Sequence, residues 1–120
     1  MYSKKTFEHF KEPKFAGEMR NADSVGEEGN LKCGDIMRIY LKVENDVIKD
    51  IKFLTYGCIA AISASDVLCK LAKGKTLNDA RKINDEDIIK ELGGLPLIKK
   101  HCSVLGIQAL KSAIKNYENN

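Results

Sequence analysis

The sequence has no apolar run long enough to span a lipid bilayer, because its hydrophobic residues, 43% of the 120, are interrupted every few positions. It also has no long basic run and no aromatic residues interleaved with arginine, which argues against a nucleic-acid-binding surface. The 20 basic and 17 acidic residues are mostly interleaved, with local pairs such as Lys4-Lys5 and Lys99-Lys100, and leave a formal charge of only +3. We therefore predict solvated charged faces, with neither nucleic acid nor membrane as a partner.

The sequence is poor in groups that hydrolytic enzymes use. Its only histidines are His9 and His101, and it has neither a nucleophile elbow nor a paired-carboxylate motif. We therefore disfavour a hydrolytic enzyme and predict that His9 is a surface or packing residue and not a ligand. The first residues lack the apolar stretch of a secretory signal, so a cytoplasmic location with reduced thiols is expected.

The chain length fits one domain with a single core, predicted to cover residues 1–120. Apolar and charged residues alternate over 36–44, as in a strand with one buried face. Residues 45–46, Asn-Asp, tolerate the positive φ of a tight turn, and a return strand is predicted over 47–55. The face of this strand that is predicted to be buried carries Val47, Ile51 and Phe53.

The rest of the chain predicts mainly helices. Residues 4–11 fit a short helix, whereas 21–32 fit either an edge strand or an irregular loop. Small and apolar residues after Cys58 suit a helix packed closely on a sheet, and Thr76 and Asn84 are suited to cap two short helices. Strands followed by helices predict an α+β fold, a small antiparallel three-stranded sheet with helices packed on one face.

Several potential metal ligands stand at the predicted boundaries of these elements. Cys33 and Asp35 precede a strand, Cys58 follows one, and His101 and Cys102 lie near the start of the last helix. Their wide spacing is unlike the paired C-x-x-C knuckles of structural zinc sites. The residue types alone leave two alternatives open, a shared metal site and small buried hydrophobic cysteines.

The fourth cysteine, Cys69, differs because it falls on the apolar stripe of a predicted helix. We predict that it is a small buried hydrophobic residue and not a ligand.

Three segments carry a resemblance to a known family. They are KCGDIM at 32–37, TYGCIAA at 55–61 and LPLIKKHCSVL at 95–105. The pairs Tyr2-Ser3 and His9-Phe10, Pro13 and the stretch KGKT at 73–76 also follow the family order. Over nearly its whole length the chain resembles the IscU and NifU N-terminal family of iron–sulfur cluster assembly scaffolds.

The resemblance implies a function and a set of site residues. In that family three cysteines, here Cys33, Cys58 and Cys102, ligate a transient 2Fe–2S cluster. Asp35 would tune the lability of the cluster and bind iron or zinc, and His101 would lie at the site. Soft thiolates suit iron and sulfide, and an oxygen or nitrogen ligand is more easily displaced. Zinc is an alternative occupant of the same site.

The resemblance also implies that the protein is not an enzyme but an assembly scaffold that accepts persulfide, and it implies partners. A cysteine desulfurase would deliver a persulfide to Cys102, and apo iron–sulfur proteins would receive the cluster. Pro96 and Lys99 lie in the partner-binding segment of the family, but Leu97 stands where a second proline is usual, which weakens the expectation of a chaperone pair. A homodimer or a cluster-bridged oligomer is left open.

Two other functions are compatible with parts of the sequence. One is the related SufU type, a zinc-dependent sulfur acceptor whose members carry an insertion between the second and third cysteines and lack the histidine before the last one. This chain has His101 and a compact interval, so the scaffold is favoured. The other is a structural zinc module, which is disfavoured because the apolar pattern suffices for folding without metal.

Overall fold

The computed structural model of the protein describes residues 3–30, 35–56, 59–94 and 101–119, with the backbone alone for residues 30, 35 and 101–103. Its elements in chain order are α1 (Lys4–Lys11), β1 (Ser24–Asn30), β2 (Asp35–Glu44), β3 (Val47–Thr55), α2 (Ile59–Ala72), α3 (Leu77–Arg81), α4 (Asp85–Leu92) and α5 (His101–Glu118). Within these ranges, none of the helices has the length and apolar character of a membrane span.

The three strands form one antiparallel sheet in the order β1-β2-β3. The predicted turn between β2 and β3 is confirmed, because Asn45 and Asp46 have φ values of 54° and 61°. Such left-handed residues match the twist of a two-residue hairpin. The segment for which the sequence left two alternatives contains the edge strand β1. The predicted α+β fold is confirmed.

The predicted inner face of β3 is wrong at its first residue. The pairing with β2 shifts between Lys42 and Val43, because Lys42 pairs with Asp50 whereas Val43 pairs with Ile48. This bulge leaves one extra residue in β3 and reverses which side chains point inward before it. Ile48 is therefore fully buried, and Val47 is only partly buried.

The core lies between the inner face of the sheet and the helices α2 and α5. Its largest members include Met37, Ile39, Leu41, Ile48, Ile51 and Phe53 from the sheet, Leu68, Leu110 and Ile114 from these helices, and Ile88 and Leu92 from α4. The outer face of the sheet carries charged pairs such as Arg38 with Glu27, 2.6 Å apart. Helices therefore pack on one face, as the alternation of residues predicts.

The helix boundaries follow the predicted capping residues. The side chain of Thr76 accepts a hydrogen bond from the backbone of Asp79 at the start of α3. Asn84 and Asp87 form a capping box at the start of α4, and Gly93, with φ of 76°, ends that helix. These contacts satisfy backbone groups that a helix end otherwise leaves unpaired.

Candidate functional site

The described backbone includes only part of the predicted site. Four predicted residues lie outside the described ranges: Cys33, Cys58, Pro96 and Lys99. Asp35 is the first residue of β2, and His101 and Cys102 are the first two residues of α5. The ligand set stays a prediction, and the structure shows how the elements that flank it are arranged.

The residues on either side of 31–34 and the residue before 57–58 lie next to one another. Asn30 pairs with Asp35, so the end of β1 adjoins the start of β2. The backbone N–H of Tyr56 and the hydroxyl of Thr55 both donate to the carbonyl of Ile36, at 3.3 and 2.7 Å. We call this edge, where β1 ends, β2 begins and β3 ends, the site end of the sheet.

Helix α5 approaches the same end because it runs antiparallel to β1. The side chain of Asn116 donates to the carbonyl of Val25 at 2.8 Å, and Gly26 lies against Ala109. From Gly26 the strand continues for about 13 Å to its end, at roughly 3.3 Å per residue. From Ala109 back to His101 the helix spans about 12 Å, at roughly 1.5 Å per residue. The first turn of α5 therefore lies towards the site end.

The described side chains outside this region offer no alternative metal site. Among them, no group of three or more histidine, cysteine, aspartate or glutamate residues could hold a metal ion.

Cys69 lies in the core, as predicted. Its side chain is fully buried in α2 and belongs to the same cluster as Leu68 and Ala72. Burial raises the pKa of its thiol well above the ordinary value, and the negative charges of Asp66 and Asp50 add to that effect. A thiol held in its protonated form is a poor nucleophile and a poor metal ligand.

Cys69 is therefore expected to resist alkylation in the folded protein. With iodoacetamide at pH 8, its rate should be at least about 100-fold lower in the native protein than in guanidinium, because only the thiolate reacts and the side chain is shielded. Peptide mass spectrometry would measure labelling of each cysteine separately. Equal rates in the native and unfolded states would contradict the buried assignment.

The structure also shows an ionisable pair that sequence reasoning missed. The side chain of His9 is partly buried, as expected of a packing residue, and its Nδ1 also lies 2.6 Å from the Oδ2 of Asp66. The side chain of Asp66 is 1% exposed and that of His9 is 20% exposed. A charged residue within the apolar stripe of α2 was the available signal, since a buried carboxylate needs a partner.

The family follows from comparison with known proteins. The NifU-like N terminal domain model matches residues 1–120, and the chain belongs to this family. The chain is 50% identical over 117 residues to iron-sulfur cluster assembly scaffold protein IscU 1 of Archaeoglobus fulgidus, covering 98% of this chain and 76% of that protein. It is 45% identical over 118 residues to the protein of Aquifex aeolicus named iron-sulfur cluster assembly scaffold protein IscU, covering 97% and 75%.

A solved structure supports the same fold. The crystal structure of a putative iron-sulfur cluster assembly scaffold protein for the SUF system, from Fervidobacterium islandicum AW-1, aligns with a TM-score of 0.77 and 26% identity. The alignment covers 94% of this chain and 96% of that one. The sheet with its helices is thus the arrangement of a known scaffold fold.

Proposed function

We propose that this protein is a scaffold on which iron–sulfur clusters are assembled and from which they are handed on. The observation that carries this function is the similarity to two scaffold proteins named IscU, which are 50% and 45% identical over 98% and 97% of this chain. We also propose that residues 1–120 form one domain of this kind, supported by one connected core and by the family match over that range.

The proposed cluster ligands are the thiolates of Cys33, Cys58 and Cys102, with Asp35 and His101 as exchangeable partners. The arrangement of the described elements supports this set, because the ends that flank these residues lie towards one end of the sheet. Thiolates bind iron and sulfide tightly, whereas a carboxylate or imidazole is more easily displaced. Such a mixed set suits a 2Fe–2S cluster, or zinc in its place, that must leave again.

Sulfur is proposed to arrive as a persulfide on a cysteine desulfurase. The thiolate of Cys102 attacks the outer sulfur of that persulfide, the S–S bond of the donor breaks, and the thiolate of the donor leaves. A two-electron external reductant then releases sulfide from Cys102. Lys99 and Lys100 stand three and two residues before Cys102, and neighbouring cations favour the thiolate form.

In this function the protein accepts sulfur and iron and holds the cluster, but it does not catalyse the turnover of a substrate. Two apolar side chains near the proposed ligands are exposed: Tyr56, two residues before Cys58, at 72%, and Val104, two residues after Cys102, at 40%. They provide contact area for the desulfurase and the recipient proteins. A cytoplasmic location is also proposed, because free thiolate ligands need a reducing compartment.

The alternative is a zinc-dependent sulfur acceptor of the SufU type, which the structural similarity to a putative SUF-system scaffold keeps in consideration. The two functions differ in their behaviour with iron. A protein that bound zinc tightly but never developed cluster absorbance with iron and sulfide would favour the alternative.

Anaerobic reconstitution with iron and sulfide tests the scaffold function. The wild type should develop the visible absorbance and Mössbauer signals of a 2Fe–2S cluster. Asp35→Ala should hold a cluster that decays more slowly, by roughly threefold or more, because the exchangeable oxygen ligand is gone. Asp79→Ala removes an exposed carboxylate of α3 and is the matched control. A faster decay in Asp35→Ala than in the control would contradict the assigned role.

A further inference from the structure

The N-terminal residues 3–15, which we call the strap, lie across two helices that lead towards the proposed site. Helix α1 packs mainly on α2 and also touches α4. Beyond α1, the backbone of Phe15 bonds to Phe53 in β3. The strap therefore connects elements that are far apart in sequence.

The first half of the strap joins the end of α4 to the first turns of α2. The hydroxyl of Ser3 donates to the carbonyl of Leu92, the last residue of α4, and lies 2.9 Å from the hydroxyl of Thr6. The carbonyl of Thr6 accepts a hydrogen bond of 2.7 Å from Ser63 in α2. Thr6 and Ser63 are both fully buried.

One of the two helices joined in this way follows a proposed ligand directly in sequence, and the other ends nine residues before His101. Helix α2 begins at Ile59, directly after Cys58 in sequence. Helix α4 ends at Leu92, and the chain then continues to His101 and Cys102 at the start of α5. Helices α2 and α4 also pack directly on each other, and Lys70 pairs with Glu91 at 2.9 Å. The strap adds hydrogen bonds to the end of α4 and to the first turns of α2, which follow Cys58 in sequence.

The second half of the strap is held by a single buried carboxylate, that of Asp66. Its Oδ2 lies 2.6 Å from Nδ1 of His9, and its Oδ1 accepts a hydrogen bond of 2.9 Å from the backbone N–H of Phe15. Both oxygens are therefore used by the strap. A buried carboxylate without partners is costly, so these contacts form and break together.

The two halves of the strap differ in apolar packing, because Phe15 packs against the core whereas α1 is short and buries little. Helix α1 has only eight residues, and isolated helices shorter than about 12 residues are marginal in water. Thr6 is the one buried residue of α1. With so little burial in α1, this part of the strap belongs to the low-stability part of the fold and depends largely on polar contacts for its position.

We propose that the strap is a detachable clamp, latched by Asp66, whose docking slows the loss of metal or cluster from the proposed site. This inference rests on the proposed function and adds a means of regulating it. When the strap is docked, its buried hydrogen bonds add to the direct packing of α2 on α4 and constrain the first turns of α2, which follow Cys58 in sequence. When the strap leaves, this end of α2 loses that constraint and the cargo dissociates faster. A recipient protein that displaced the strap would promote release.

Asp66→Ala tests the latch, because it removes both contacts without leaving a buried charge, and alanine favours the helix. Hydrogen exchange of the α1 amides should accelerate by roughly ten- to hundredfold, as expected for loss of hydrogen bonds to a charged group. Amides of β2 should keep their protection. Release of Zn²⁺ to a chelator and decay of a reconstituted cluster should both accelerate by about threefold or more.

The control is Arg81→Ala, which removes the ion pair with Glu118 between α3 and α5 and leaves the strap untouched. It should change neither the α1 exchange nor the release rates. Unchanged α1 exchange in Asp66→Ala would overturn the latch, and faster exchange with unchanged release would overturn the coupling. A wild type that bound neither zinc nor cluster would instead refute the proposed function, while accelerated α1 exchange would still support the latch.

Discussion

Replacement of Cys58 by alanine is expected to abolish stable cluster binding, whereas replacement of Cys69 by alanine should leave it intact. Cys58 is one of three proposed thiolate ligands, and a 2Fe–2S cluster that loses one of them loses a covalent attachment to the protein. After anaerobic reconstitution, visible absorbance and the iron and sulfide content should fall by at least about tenfold in Cys58→Ala.

Cys69→Ala is the matched control. It also removes a thiol from this region of the sequence, but the side chain of Cys69 is buried in the core. Its cost should be confined to stability, about 1 kcal/mol for the lost buried atom. Circular dichroism would show that both variants are folded under the conditions of reconstitution. Full cluster content in Cys58→Ala, or loss of the cluster in a folded Cys69→Ala, would refute the division between ligand and core cysteine.

Gly26→Ala is expected to destabilise the fold strongly, by about 3 kcal/mol or more. An added Cβ would lie 2.2 Å from the carbonyl oxygen of Ala109 and 2.3 Å from the nitrogen of Ala113. Both contacts are with backbone, so α5 as a whole would have to move away from β1. Because α5 begins at His101 and Cys102, the site should weaken as well. Urea unfolding would measure the stability change.

Gly106→Ala is the comparison for this effect, since it also adds a methyl group between α5 and its neighbours. There the Cβ would meet only the end of the Leu68 side chain, at 3.2 Å. A side chain can adjust, and alanine is favoured over glycine inside a helix by about 1 kcal/mol. The net change should be small. A stability loss in Gly106→Ala as large as that in Gly26→Ala would contradict the explanation by backbone contact.

Local patterns predicted most of the fold because the responsible forces act over a few residues. The alternation in β2 follows from one buried face, and the turn at Asn45 and Asp46 follows from their tolerance of positive φ. The inner face of β3 was mispredicted because a bulge depends on the pairing with β2. Sequence periodicity within a single strand carries no information about such a shift.

The segment that contains β1 shows another limit. Its two interior glycines weaken the strand pattern, and the sequence alone left a loop as an alternative. Gly26 is required by the close approach of α5, a helix more than 70 residues later in the chain. A contact of that range cannot be derived from a local window.

The proposed site was predictable chiefly through family resemblance. The spacing of the cysteines alone left open whether they share a site, and only the separation of Cys69 followed from its position on an apolar stripe. Asp66 was overlooked, although a carboxylate among the small apolar residues of α2 indicates a buried partner. Its partner, His9, stands in a different helix, and their pairing depends on how α1 and α2 pack.

The outer edge of β3 could serve as a template for another strand, and edges of this kind drive intermolecular sheet formation. Here the outward N–H groups of Ile48 and Phe53 already donate to the carbonyls of Lys75 and Phe15, and that of Ile51 donates to the side chain of Asp50. Phe15 belongs to the strap, so undocking of the strap exposes the backbone N–H of Phe53 at this edge. A variant with weaker contacts to Asp66 should consequently aggregate at lower protein concentration. Aggregation therefore sets a lower limit on how stable the docked strap must be.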